Sequence, residues 1–284
     1  MKTYAVLTIG VICISTAAVI IRLIEAPATA IAFYRLAIAS IFILPLSSFL
    51  RNTNGLKQIR LPDTLMCLAA SVAISIHFVA WIASLEYTSV ASSVILVTTS
   101  PLIVAFLSKL FFQEHLRKNV YVGIALGLIG AVVLTGGDSR LEGRELWGDL
   151  LAFIGALSFA FYLILGKRVR TRLNNLDYTS FVFLSASVML FVISVIANQP
   201  LWNFDSKSII FIVTLAIIPQ LIGHSSITWA LGSVRATLVS VAIMAEPVGA
   251  ILLAWLILNE HPSLANLIGG LIILSGIFIA YKKS

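Results

Sequence analysis

The stretch Ser100–His115, SPLIVAFLSKLFFQEH, decides the reading of this chain, because it is written again at Glu246–His261 as EPVGAILLAWLILNEH. Laid over each other, the two share Pro101/Pro247, Leu107/Leu253, Leu110/Leu256, Glu114/Glu260 and His115/His261. The same offset carries Gly123 onto Gly269 and Gly130 onto Gly276. The chain is about twice that offset in length, so one unit is written twice, and a repeat of this kind governs the whole fold. Each copy is a long apolar segment with a proline inside it, closed by an acidic residue and a histidine.

Composition states what solvent the units face. Sixty per cent of the residues are hydrophobic and 11% charged, against about 25% charged in a soluble domain, and the mean hydropathy is +1.04. Long apolar runs joined by short polar segments describe a polytopic membrane protein. The runs are continuous rather than alternating, which excludes a barrel, and only helices then satisfy the backbone inside a bilayer. Two cysteines, Cys13 and Cys67, lie in apolar surroundings with no metal spacing and no disulfide framework. The first apolar run imitates a signal peptide but is too long for one and has a counterpart at Leu150–Gly166, so it reads as a first span.

Ten spans follow, at residues 4–24, 28–50, 64–85, 89–112, 119–137, 147–166, 177–197, 208–230, 236–257 and 263–281, with the charged joint Gly137–Trp147 between the units. With the N-terminus inside, the cytoplasmic ends receive Lys2, the Arg51–Arg60 joint, Lys109, Arg117, Lys118, the Lys167–Arg172 joint, Arg235, Lys282 and Lys283. The other side has Arg22, Arg140, Arg144 and Lys207. That bias puts both termini in the cytoplasm, and it spends the net charge of +7 on topology rather than on nucleic acid. Five spans per unit turn the second copy upside down. The joints agree: Glu114-His115 is followed by Arg117-Lys118, whereas Glu260-His261 is followed by Pro262-Ser263. The expected fold is therefore an all-α integral membrane protein, ten transmembrane helices in two inverted five-helix repeats, residues 1–140 and 145–284. Such repeats enclose a substrate site near the midplane.

The two five-helix halves, the segment FYRLAIAS (Phe33–Ser40), the two repeated segments and the glycine-rich fifth and tenth spans resemble the EamA type of the drug/metabolite transporter superfamily. The resemblance runs over nearly the whole chain. It implies a carrier, with exporters of amino acids among its members, and carriers of other metabolites beside them. The second half departs from the pattern, with Thr179-Ser180-Phe181 where the first has Phe33-Tyr34-Arg35.

Ionisable residues inside a membrane are costly and point to function. Glu246 stands near the centre of the ninth span beside Pro247, where the first unit has the neutral Ser100; it would bind a substrate amine, carry a coupling proton, or merely tie helices together. Arg35 would clamp a carboxylate, pair with Glu246, or snorkel to the outer interface. His77 and Trp81 share a face of the third span. Gln220, His224 and Thr228 form a stripe on the repeat-related eighth, and Ser158 and Tyr162 a weaker stripe on the sixth. Pro101, Pro219 and Pro247 free the carbonyls of Val97, Leu215 and Ile243 as ligands or hinges. Glu114 and Glu260 read as caps or loop anchors. Gly123, Gly127 and Gly130, with Gly269, Gly270 and Gly276, prescribe close helix packing and offer a possible homodimer seam.

No phosphate loop, HExxH, GxSxG or clustered Cys/His ligands occur in the sequence, so it carries no motif of an ATP-driven pump, a hydrolase or a metal site. The expectation is a secondary transporter of the bacterial or archaeal inner membrane, without cofactor, exporting small amphipathic metabolites such as amino acids. Its partners are the small-molecule substrate and the lipid bilayer. A carrier of nucleotide- or sugar-like solutes and a non-transporting receptor or assembly protein are the alternatives.

Overall fold

Apolar runs with polar, capped ends should stop where the caps fall, and they do. A computed structural model describes residues 2–50, 60–88, 93, 96–134, 143–258 and 261–282. Of the residues singled out above, Arg51, Lys57, Arg140, Glu260 and Lys283 lie outside these. The described residues form ten apolar helices: α1 (Lys2–Ile21), α2 (Ala28–Leu50), α3 (Leu61–Tyr87), α4 (Ser100–Phe112), α5 (Lys118–Leu134), α6 (Gly143–Val169), α7 (Asn175–Ile196), α8 (Ser206–Leu231), α9 (Ala236–Ile257) and α10 (Leu264–Tyr281). Eight are long and apolar enough to cross a membrane, and α4 and α5 are shorter. The N-cap residues Asn174 and Asp205 accept from the backbone N–H of Asp177 and Ser208 at 2.9 and 3.2 Å, and Ser263 with Asn266 closes a capping box on α10. α6 runs past the expected 147–166 at both ends, since Gly143–Leu146 and Lys167–Val169 are helical too. The expected span 89–112 is described as helix over Ser100–Phe112, and residues 89–92 and 94–95 lie outside the described residues.

The halves meet through repeat-related helices that run antiparallel. A Cβ built on Gly276 would sit 2.7 Å from the carbonyl oxygen of Gly123, and one on Gly130 would sit 2.8 Å from that of Gly269. Numbers rise along α5 as they fall along α10, and each contact joins a glycine to the repeat mate of the other. The close packing these glycines permit is thus used inside the chain, and the outward faces of α10 carry exposed Leu264, Leu271 and Phe278. α2 and α7 pair in the same sense: the Phe33 and Phe191 rings lie 5.6 Å apart, and Ser47 Oγ donates to Asp177 Oδ1 at 3.0 Å. α3 lies on α6 where Gly155 meets Trp81, and α1 lies on α8 where Gly10 meets Ser226.

Most of the described cationic ends gather at one end of this bundle. Arg172 pairs with Asp63 at 3.2 Å, and Lys167 Nζ donates to the carbonyls of Leu231 and Val234 at 3.0 Å each. Asn119 Nδ2 donates to the Lys282 carbonyl at 2.9 Å.

Four helices are irregular where they approach the centre. α1 tightens at Thr16, whose N–H and hydroxyl both reach the Cys13 carbonyl, at 3.2 and 2.7 Å. Thr99 does the same before α4, its N–H and hydroxyl reaching the Leu96 carbonyl at 3.1 and 2.6 Å. α9 breaks at Met244-Ala245, where Met244 and Ala245 donate three residues back, to Val241 and Ala242, at 3.1 Å. α8 widens into a π-helix over Ala216–His224 around Pro219. Pro101 and Pro247 therefore follow a helix break rather than kink a continuous helix, and Pro219 sits inside a widened turn.

The glycine contacts generate a paired prediction. A Cβ at Gly269 would strike the backbone of Leu134, whereas one at Gly270 would lie 3.6 Å from a Val248 methyl. Gly269→Ala should destabilise by about 1–3 kcal/mol and lower the unfolding midpoint of the detergent-solubilised protein, with Gly270→Ala close to wild type. Equal midpoints for the two would disprove the close α5–α10 contact.

Candidate functional site

An irregular backbone inside a membrane is tolerated only where protein or a cavity covers it. Here the breaks converge on a cavity of about 50 Å³. Ala17 beside the α1 break, Val97 and Thr98 before α4, Ile243 and Met244 before the second half of α9, and His224 at the end of the π segment all line it. Val97 and Ile243, four residues before Pro101 and Pro247, are thus at the wall. Leu215, the residue paired with Pro219, does not line the cavity.

Arg35, His77, Trp81, His224 and Glu246 come from four helices to this one cavity, together with Pro101 and Pro247. Arg35 is fully buried, donates from Nε to Gln220 Oε1 at 3.0 Å and lays its guanidinium 3.8 Å over the Phe78 ring. The snorkelling reading fails on that geometry. Glu246 opens the second half of α9. It faces the same cavity, and no ion pair joins it to Arg35 among the described residues. His77 Nδ1 lies 2.9 Å from the Gly155 carbonyl. A carbonyl only accepts, so this nitrogen carries the proton and the Nε2 of the neutral ring is an acceptor. The ring stacks parallel to Trp81 with centroids 6.1 Å apart.

Four of the expected site residues stand off the cavity. Gln220 is buried behind it, holding Arg35. Tyr162 is buried and stacks on Phe159 at 6.0 Å. Ser158 is half-buried and lines no part of the wall. Thr228 is satisfied by structure, donating to Asn175 Oδ1 at 2.9 Å and the Ser225 carbonyl at 3.0 Å. Two aromatic wall residues escaped the sequence reading. Phe78 lies under Arg35 and edge-on to His224 at 5.2 Å, and Phe159 lies 4.6 Å from His77. Polar residues drew attention to their neighbours His77 and Ser158, while an aromatic in an apolar helix carries no such signal.

At the basic end, Glu114 follows the left-handed Gln113 that stops α4. Burial raises its carboxyl above the usual range, against the opposing pull of the Arg235 and Lys167 charges. It lies off the cavity, beside cations that close the joints of α6 and α9.

This arrangement has relatives. A family model described as the EamA-like transporter family matches residues 1–136 and again 146–282. The chain belongs to the EamA-like transporter family. Among curated relatives of this EamA-like chain, the uncharacterized transporter YdfC of Bacillus subtilis is 23% identical, over 89% of this chain and 81% of its own length. An uncharacterized transporter of Archaeoglobus fulgidus is 22% identical over 98% of this chain and 96% of its own. The uncharacterized inner membrane transporter YedA of Escherichia coli K12 is 31% identical over 59% of this chain and 55% of its own. A protein of solved crystal structure shares the fold at 19% identity with a TM-score of 0.81, over 99% of this chain and 98% of that one. The family is one of transporters, and these relatives are named as transporters.

A carboxyl whose folded pKa is raised contributes stability at low pH that is lost as the pH rises through that value. Glu114→Gln should therefore flatten the fall in unfolding midpoint of this EamA-like transporter as the pH rises above the ordinary glutamate value of about 4.3. An identical pH profile for the variant and wild type would remove Glu114 as a titrating group of that joint.

Proposed function

We propose that this chain is a secondary transporter of the cell inner membrane that exports small amphipathic metabolites such as amino acids by alternating access. The observation that carries the reading is the convergence of the helix breaks on one cavity lined by Arg35, His77, His224 and Glu246. Charged and imidazole groups are expensive in a bilayer and are kept where they meet a solute. Apolar walls from Trp81, Phe78 and Phe159 suit the other pole of an amphipathic solute.

The antiparallel pairing of α5 with α10 and of α2 with α7 supports two inverted five-helix units, 1–140 and 145–284. Opposed units rocking about breaks at Thr99 and Met244 would open the cavity to one side at a time. The gathering of Lys167, Arg172, Lys282 and Arg235 at one end of the bundle supports cytoplasmic termini. Glu246 supplies the electrostatic part of binding or coupling. Its repeat mate is the neutral Ser100, so the cavity holds one carboxylate from this pair of positions.

Counterflow in proteoliposomes tests this reading. Vesicles preloaded with an amino-acid pool should take up labelled amino acids faster than empty ones, and Glu246→Gln should lower that rate by about 10-fold or more, the loss of one charged hydrogen bond. Trans-stimulation only by a nucleotide and sugar pool would change the substrate class. A Glu246→Gln variant with wild-type rate and pH dependence would remove Glu246 from the mechanism, and silence from folded protein in every pool would favour a receptor role.

A further inference from the structure

The cavity wall holds more hydrogen-bond donors than partners for them. Arg35 is wholly buried, and only its Nε is used; Nη1 and Nη2 have no partner. Beside it, Nε2 of Gln220 and Nδ1 of His224 are likewise buried and unpaired. An arginine does not lose its charge, and a buried cation must be met by an anion. Glu246 faces the same cavity without pairing to it.

The half-helix ends point the same way. α4 begins at Ser100 on the cavity, its N-cap Thr99 makes no side-chain cap, and its first turn holds no acid. The repeat-related end, at Glu246, carries its own carboxylate. A helix N-terminus favours negative charge, so of these two related ends one is supplied by the protein and the other is left to a ligand.

We propose that the cavity is a carboxylate site: a substrate enters with one obligatory carboxylate facing the Nη1 and Nη2 of Arg35 and an apolar body against Phe78, Phe159 and Trp81. The planar fork of a guanidinium matches the two oxygens of a carboxylate. Gln220 is a positioning residue, since its Oε1 holds the Nε edge and leaves the two terminal nitrogens for the ligand. An amine on the substrate has acceptors in Glu246 and His77 Nε2 and is not required. The substrate class so named rests on the transport reading above, and narrows it to amphipathic monocarboxylates.

Binding is tested apart from transport, on the full-length protein in detergent, by the shift in unfolding midpoint and the change in tryptophan emission. Four probes share a phenyl body: hydrocinnamate, L-phenylalanine, L-phenylalaninamide and phenethylamine. The two carboxylates should bind about tenfold or more tighter than the amide and the amine. Arg35→Lys should weaken them and Arg35→Gln should erase the preference, while Gln220→Met should weaken both carboxylates and leave the amine unchanged. Should Arg35→Gln fail to fold, the four probes on wild type still decide. Equal binding of all four, binding of none, or a preference that survives in Arg35→Gln overturns the proposal. Counterflow then separates the two readings: carboxylate binding without counterflow sinks the transport reading and leaves this site, whereas counterflow of solutes lacking a carboxylate does the reverse.

Discussion

The hydrogen bond from Arg35 Nε to Gln220 Oε1 joins the two halves at the point where an apolar bundle can least tolerate a charge. A guanidinium cannot shed its proton, so the fold must arrange polar groups around it. Gln220 reaches it from a π segment whose turns are wider than an α-helix. Pro219 has no N–H to give to a regular ladder. The irregular backbone and the buried cation therefore belong to one solution, and Phe78 completes it by offering its ring face to the charge.

The same constraint explains where the other breaks fall. A bilayer offers no water to an unpaired carbonyl, so Thr16 and Thr99 turn their hydroxyls and N–H groups onto the carbonyls three residues back. Tight turns of this kind give back part of what the interruption removes. They also differ between the halves. α6, the counterpart of α1, is continuous, and α3, the counterpart of α8, carries no π segment. The repeat built the scaffold, and the departures from it built an asymmetric site: an arginine where the other half has Phe181, a glutamate where the other half has Ser100.

How much of this was legible in the residues follows from what each signal measures. Apolar runs marked the ten helices, and glycines at the repeat offset announced close packing on α5 and α10 without naming each other as the partner. The caps Asn174, Asp205 and Ser263 close three helix starts and were not singled out, since the spans were bounded by hydropathy alone. Ionisable residues in apolar runs pointed to Arg35, His77, His224 and Glu246, all of which meet at one cavity. The sequence stripes overreached at Thr228 and Ser158, because helical spacing gives a shared face but not what that face meets. Thr228 faces Asn175, a partner on another helix that no local pattern reveals. Phe78 and Phe159 stayed hidden for the converse reason: an aromatic among apolar neighbours is ordinary until the fold places a cation or an imidazole against it. The π segment was hidden too, since Pro219 signals a disturbed ladder without saying whether it kinks or widens.

The charge balance inside the cavity then follows from symmetry rather than from any single residue. Had both halves kept the same residue at the Arg35 position, or both an acid at the start of the broken helix, the site would carry paired like charges in a mostly apolar cavity, where water screens poorly. The chain instead holds one fixed cation and one carboxylate on separate elements, close enough to share a cavity and not joined by an ion pair. Joining them directly would satisfy the charges and fill the site with a structural lock. Held apart, they leave the two terminal nitrogens of Arg35 without a protein partner, and that is the demand the proposed carboxylate would meet.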